Sequence, residues 1–236
     1  CIRDRHPFQP FILGQKFVGP RLAELYDIDL VFYGESQAEG GSSLDWDCPT
    51  MPREFYVSSS QDNIRISGLN LNELEAHGIS LRDLNMYLPL KPSSRRIDVY
   101  FLSYFKKWIP QENYYYAVEN CGFRPNPIRS EGTYSTYASL DDKIDGFHYF
   151  TTFIKYGIGR ASYDASQEVR NGHIDRDEAV SLVSQYDGEF PSNHFNHFLD
   201  YINISEREFW TYIDKGRSPH LWSLVDGKWV LKHRVQ

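Results

Sequence analysis

Two short apolar runs, "IDLVFY" at residues 28–33 and "RRIDVYFLSYF" at 95–105, constrain the fold of this chain more than any other feature. Each reads as a buried strand. The first follows a helix: Phe11, Phe17, Val18, Leu22 and Leu25 recur at near-helical spacing between Pro10 and Tyr26, and Asp27 ends it. Gly34 stands at its carboxyl end. The second run leads into the basic pair Lys106 and Lys107, then into a helix opened by Pro110 and closed at Gly122. Strands flanked by helices in this way make an α/β layer, where ligands sit beyond the carboxyl ends of the strands.

Elsewhere the signals are local. Residues 55–68 predict a short strand pair, and 40–52 a Gly/Ser/Pro-rich loop. Asn72 and Ser80 are predicted N-caps of two short helices, with Gly78 ending the first. After Gly132 the pattern turns helical. Ile144, Phe147, Thr151 and Ile154 share one helical face, Gly157 and Gly159 interrupt it, and a second helix runs on to Gly172. Asp175 with Glu178, and Ser205 with Glu208, open two more helices. In "LWSLVDGKWVLK" the Asp226–Gly227 pair predicts a hairpin with a type I′ turn. The expectation is an α/β segment over 1–132 and a mostly helical region over 133–236 ending in a hairpin.

At 236 residues the chain can bury a sizeable core without disulfide or metal staples. Its 25 basic and 32 acidic residues give a net charge of −7, which argues against a general nucleic-acid binder. No apolar run approaches the ~20 residues of a membrane span. Cys1, Cys48 and Cys121 share no metal-ligand or disulfide spacing, which favours a reducing, cytoplasmic setting.

Chemistry concentrates in two places. In "FYGESQAEGGSSLD" (32–45), the "GGSSLD" half is the wrong order for a phosphate loop and Glu39 at its head would repel phosphate, so it reads as a connector. "YGESQAE" places Gly34, Glu35, Gln37 and Glu39 at the strand end, although on these residues alone a solvated polar loop is the better reading. The richer stretch is 132–178, where Asp141, Asp142, Lys143, Asp145, His148, Lys155, Arg160, Asp164, Glu168, Arg170 and His173 lie among aromatics. Lys155 and Arg160 flank the Gly-x-Gly break, where two cations can meet an anion. Singly, each of these is an ordinary helix-surface charge; polar groups on both faces are what a merely packed helix avoids. His148, between Phe147 and Tyr149, reads as a hydrogen-bonded buried imidazole. No nucleophile elbow, HExxH or Walker loop is present.

Taken together, "HPFQPFILGQ", "FYGESQAE", "KKWIPQENYYYA", the run from Gly132 to Ile174 and "YDGEFP" resemble the N-acetyl sugar amidotransferase family, over nearly the whole chain. The resemblance implies a PP-loop ATP pyrophosphatase domain, a Rossmann-like parallel sheet of the adenine nucleotide alpha hydrolase type, followed by a helical carboxyl-terminal part. It implies ATP-dependent conversion of an acetamido sugar to an acetamidino sugar in O-antigen or related surface-glycan biosynthesis. ATP and Mg2+ are the implied cofactors, a nucleotide sugar the substrate, and a class I glutaminase the partner supplying ammonia. The family's Ser-Gly-Gly-x-Asp-Ser loop lies upstream of the His-Pro-Phe-Gln stretch, so the chain is expected to be a carboxyl-terminal portion, inactive alone. Ser36 departs from the Asn expected in that signature.

On this resemblance Gly34, Glu35, Gln37 and Glu39 face the nucleotide, with Lys106 or Lys107 near its phosphates. Lys155, Arg160, Asp164 and Glu168 are the expected catalytic residues, and His148 and Arg170 the expected substrate-binding ones. Two other readings compete: a PP-loop enzyme acting on tRNA, and a non-catalytic domain that binds a sugar nucleotide.

Overall fold

The computed structural model describes residues 6–34, 49–60, 64–93 and 95–235. It is mixed α/β and divides into two compact units, one of residues 9–108, the other of the described residues among 1–8 and 109–236.

The 9–108 unit runs through α1 (Gln9–Leu25), β1 (Leu30–Tyr33), α2 (Leu71–Ala76), α3 (Leu81–Leu84), β2 (Asp98–Phe101) and α4 (Leu102–Phe105). Strands β1 and β2 are parallel, with Leu30 opposite Asp98 and Tyr33 opposite Phe101. Thr50 and Met51 pair with the other edge of β2, where the Met51 N–H donates to the Val99 carbonyl at 2.8 Å. The strand expected over 95–105 therefore stops at Phe101. β1 ends directly opposite, so beyond that point no partner strand among the described residues offers hydrogen bonds, and the chain coils into α4.

Helix α1 covers the sheet face made by Val31, Tyr33, Val99 and Phe101, with Phe17 and Ala23 in the same core. Gly19 permits the approach, since a Cβ there would stand 3.0 Å from the Tyr33 hydroxyl and 3.3 Å from Val31 Cγ1. The next residue, Pro20, lies inside the helix and lacks the N–H that the Lys16 carbonyl would accept. The Tyr33 hydroxyl fills that gap, 2.7 Å from the Gln15 carbonyl and 3.2 Å from that of Lys16.

Two local expectations are corrected here. Residues 55–68 form no strand pair among those described; Val57 and Ile66 make isolated bridges to Leu90 and Leu69 instead. Asn70, not Asn72, caps α2, in a full capping box with Glu73, while Ser80 caps α3 as expected.

The second unit holds α5 (Pro110–Cys121), α6 (Asp145–Tyr156), α7 (Arg160–Asn171), α8 (Arg176–Tyr186), α9 (Phe195–Ile202), α10 (Glu206–Lys215) and the hairpin β3 (Trp222–Val225) with β4 (Lys228–Leu231). Its punctuation follows the sequence: Gly122, Gly157 and Gly172 close α5, α6 and α7 in the left-handed conformation, and Asp175 and Ser205 cap α8 and α10. Asp226 and Gly227 both take positive φ, as a type I′ turn requires. The core is aromatic. Phe147 stacks on Phe198 with ring centres 4.0 Å apart, beside Phe209, Ile154 and Ile213. Trp222 closes it, its indole N–H donating 2.8 Å to the Ile154 carbonyl. Among the described residues no helix is long and apolar enough to cross a membrane.

Candidate functional site

The polar centre of the second unit is built where the loop before α6 meets the start of α7. Arg160, the first residue of α7, reaches back with Nη1 to Asp145 at 3.0 Å and Ser139 at 3.2 Å, while its Nε donates to Asp164 one turn on, at 3.2 Å. Its guanidinium lies 4.3 Å from the centre of the Tyr149 ring. Burial works against its charge, yet Asp164, Tyr149 and Asp145 hold its pKa above the ordinary value. Asp164 also accepts from the Thr133 hydroxyl at 2.6 Å, and Asp145 from the Ser139 hydroxyl. Ser139 is held at φ +55, a left-handed conformation unusual for serine. The surface-charge reading of Arg160 and Asp164 thus gives way to a part-buried network of two carboxylates and one guanidinium.

The loop itself is pinned twice. Arg129 and Glu189 form a bidentate pair at 2.6 and 2.8 Å, and Glu189 also accepts from the Gly132 N–H at 2.7 Å. That bonding holds the Glu189 carboxyl below its usual range. Glu131 accepts from the Ser192 and Asn193 N–H groups, tying the loop to the turn before α9.

Together these contacts frame a cavity of about 130 Å³, lined by Asn126, Glu131, Ser139, Asp142, Lys143, Tyr149, Arg160 and Asn193 among others. Arg160 spends its Nε and Nη1 on the network, while Nη2 makes no hydrogen bond among the described residues. Burial, with Arg160 opposing, pushes the Tyr149 hydroxyl up to about 12, so it stays a donor at neutral pH. Carboxylates, amides, hydroxyls and one open guanidinium nitrogen suit a polyhydroxylated ligand better than a compact polyanion.

Of the sequence-named residues in this half, Asp142, Lys143 and Arg160 line the cavity. Asp164 supports it, and Glu168 sits a turn further on, where it accepts from Tyr134 at 3.1 Å; burial raises its pKa. Lys155 is on the last turn of α6, and Arg170 on the exposed end of α7 donates to Ser166. Neither belongs to the cavity wall. Sequence reasoning passed over Asn126, Arg129, Glu131, Ser139 and Asn193; the available signal was the Ser/Thr/Tyr run "GTYSTYAS" ahead of α6.

His148 corrects an expectation. Its ring stacks against His6 and Phe8, with centres 5.3 and 5.4 Å away, but its buried Nδ1 has no hydrogen-bond partner among the described residues. Burial, then the neighbouring His6, lowers its pKa from 6.5 to about 4. The folded state therefore binds fewer protons than the unfolded chain between those values. Stability is full above pH 6.5 and falls as the pH drops from there toward 4. Thermal melts of the protein and of His148→Phe across this window should show a shallower loss in the variant; parallel curves would refute the assignment.

In the 9–108 unit, Gly34 and the exposed Lys106 and Lys107 all follow the carboxyl ends of the parallel pair. A Cβ at Gly34 would meet nothing within 4 Å among the described residues. Glu35, Gln37, Glu39 and the "GGSSLD" connector lie outside the described residues. No three His, Cys, Asp or Glu side chains are grouped to hold a metal ion among the described residues.

Fold and site define a mixed α/β protein with a small parallel sheet and a helical half carrying a polar cavity. Residues 131–236, the helical half, match the family model described as LPS biosynthesis protein WbpG-like, C-terminal domain. That match supports a place among proteins of lipopolysaccharide biosynthesis. No curated protein matches the chain.

Proposed function

We propose that the protein takes part in ATP-dependent amidination of an acetamido sugar carried on a nucleotide, during lipopolysaccharide biosynthesis. The observation that carries this reading is the match of 131–236 to the WbpG-like domain, over the stretch that frames the Arg160 cavity. The sheet would then be part of a PP-loop nucleotide-binding domain, with Gly34 leaving room for the nucleotide and Lys106 or Lys107 meeting its phosphates. Magnesium would enter with those phosphates, since the described residues supply no cage of their own.

An amide carbonyl is a poor electrophile. Bound ATP supplies the adenylyl group that makes the acetamido oxygen a leaving group; pyrophosphate departs, and ammonia from a partner glutaminase then displaces AMP. In the cavity, Asn126, Asn193 and Glu131 would hold the sugar's hydroxyl and amide groups, with Arg160 Nη2 and the Tyr149 hydroxyl as donors. Arg160, fixed by Asp145 and Asp164, would orient the ring without reorganising.

The test supplies ATP, Mg2+, ammonium and a UDP-linked acetamido sugar to the whole gene product that contains this chain. The expected products are AMP, pyrophosphate and a sugar with oxygen exchanged for NH. Lys143→Ala, at the cavity rim and outside the Arg160 network, is expected to raise KM for the sugar about tenfold with kcat little changed. Formation of no AMP with any acetamido nucleotide sugar would overturn the reading, and saturable tRNA binding would favour a tRNA-modifying enzyme.

A further inference from the structure

A second cavity, of about 250 Å³, opens between the end of α6, the end of α8 and the hairpin, and shares no lining residue with the Arg160 cavity. Its walls are Phe153, Val183, Trp222, Trp229, Leu231 and Arg234, with Ser184 and Asp187 beside them. Strand pairing sets Trp222 opposite Leu231 and Trp229 opposite Leu224, so alternation puts all four on one face of the hairpin. The two indoles differ. Trp222 is buried and committed through its N–H to Ile154, whereas Trp229 is 37% exposed. The Arg217 guanidinium lies 4.6 Å from the Trp222 ring centre and 5.5 Å from that of Trp229, fixing the pair in place.

The charges are unequal in the same way. Asp187 is already spent: its oxygens accept from the N–H groups of Gly159 and Ser162 and from the Ser162 hydroxyl. Arg234 makes no ion pair or hydrogen bond among the described residues. An exposed aromatic surface and a cation with no ion pair among the described residues thus share one pocket.

We propose that this pocket binds a single hexose bearing an anionic group, either a phosphate or a carboxylate. The C–H face of the ring would lie on Trp229 and the anion would meet Arg234. Size sets the limit, because the cavity falls below the ~300 Å³ at which pockets for drug-sized ligands begin, too small for a whole nucleotide sugar. The neutral hydrogen-bonding side chains in the wall are Ser184 and the two indoles, of which Trp222 is committed to Ile154.

The proposal stands apart from the amidination reaction and is tested by binding alone. Calorimetric titrations of the full chain would use glucose 1-phosphate, glucuronate, glucose, inorganic phosphate and UMP. Glucose 1-phosphate or glucuronate should bind saturably, with the tighter of the two identifying the natural anion. Trp229→Ala and Arg234→Gln should each weaken that binding about tenfold, and glucose should lose a similar factor. Both positions are on the surface, and unchanged thermal melts would show that the variants are folded. Absence of saturable binding by either acidic sugar would overturn the proposal. So would affinity that survives both substitutions, or tighter binding of UMP or inorganic phosphate.

Discussion

Arg160→Met is expected to destabilise the second unit by about 3–5 kcal/mol, because it leaves Asp145 and Asp164 part-buried with no cation between them. The three side chains are each about one-fifth exposed or less, so water cannot replace the lost partner cheaply. Arg160→Lys should fall between the two. An ammonium keeps the charge but presents no planar fork, so it cannot serve both carboxylates and the Ser139 hydroxyl at once. Urea denaturation reads the difference. A loss under about 1 kcal/mol for the Met variant would mean the network behaves as an exposed surface pair, contrary to its geometry.

Gly188→Ala is the second large effect, expected at about 3 kcal/mol. Gly188 takes φ +79, and a Cβ there would stand 2.2 Å from Phe153 Cε1 and 2.5 Å from its Cζ. The left-handed backbone costs about 1–2 kcal/mol and the displaced ring about 1–3 more. Gly172→Ala is the control, since φ is +75 there but nothing lies within 4 Å of the added carbon. Equal destabilisation by the two variants would show that the Phe153 contact is relieved at no cost.

These two positions also mark what the sequence made legible. Helix ends in the second unit were readable because each depends on neighbours a few residues apart: Asp175 with Glu178, Ser205 with Glu208, a glycine after the last turn. The strand cores were readable from apolar runs. The end of β2 was not, since it is fixed by where β1 stops, some 68 residues earlier in chain order by the Leu30–Asp98 register. The cavity was half legible. Arg160 and its i+4 partner Asp164 stood out as charges, but Asp145, Ser139 and the Arg129–Glu189 clamp join residues up to 60 apart across a loop without periodicity. Lys155, two residues before the glycine break, looked equivalent to Arg160 on paper. Placed on the last turn of one helix, it does not reach the wall that Arg160 lines from the first turn of the next.

Asp187 gives the unit a property that neither cavity has alone. Its carboxylate is a wall of the larger cavity and, through Gly159 and Ser162, the anchor for the helix start that presents Arg160 to the smaller one. A ligand that donates a hydrogen bond to that carboxylate would compete with the N–H groups of Gly159 and Ser162 at the first turn of α7. One side chain thus belongs to the wall of one cavity and to the support of the other.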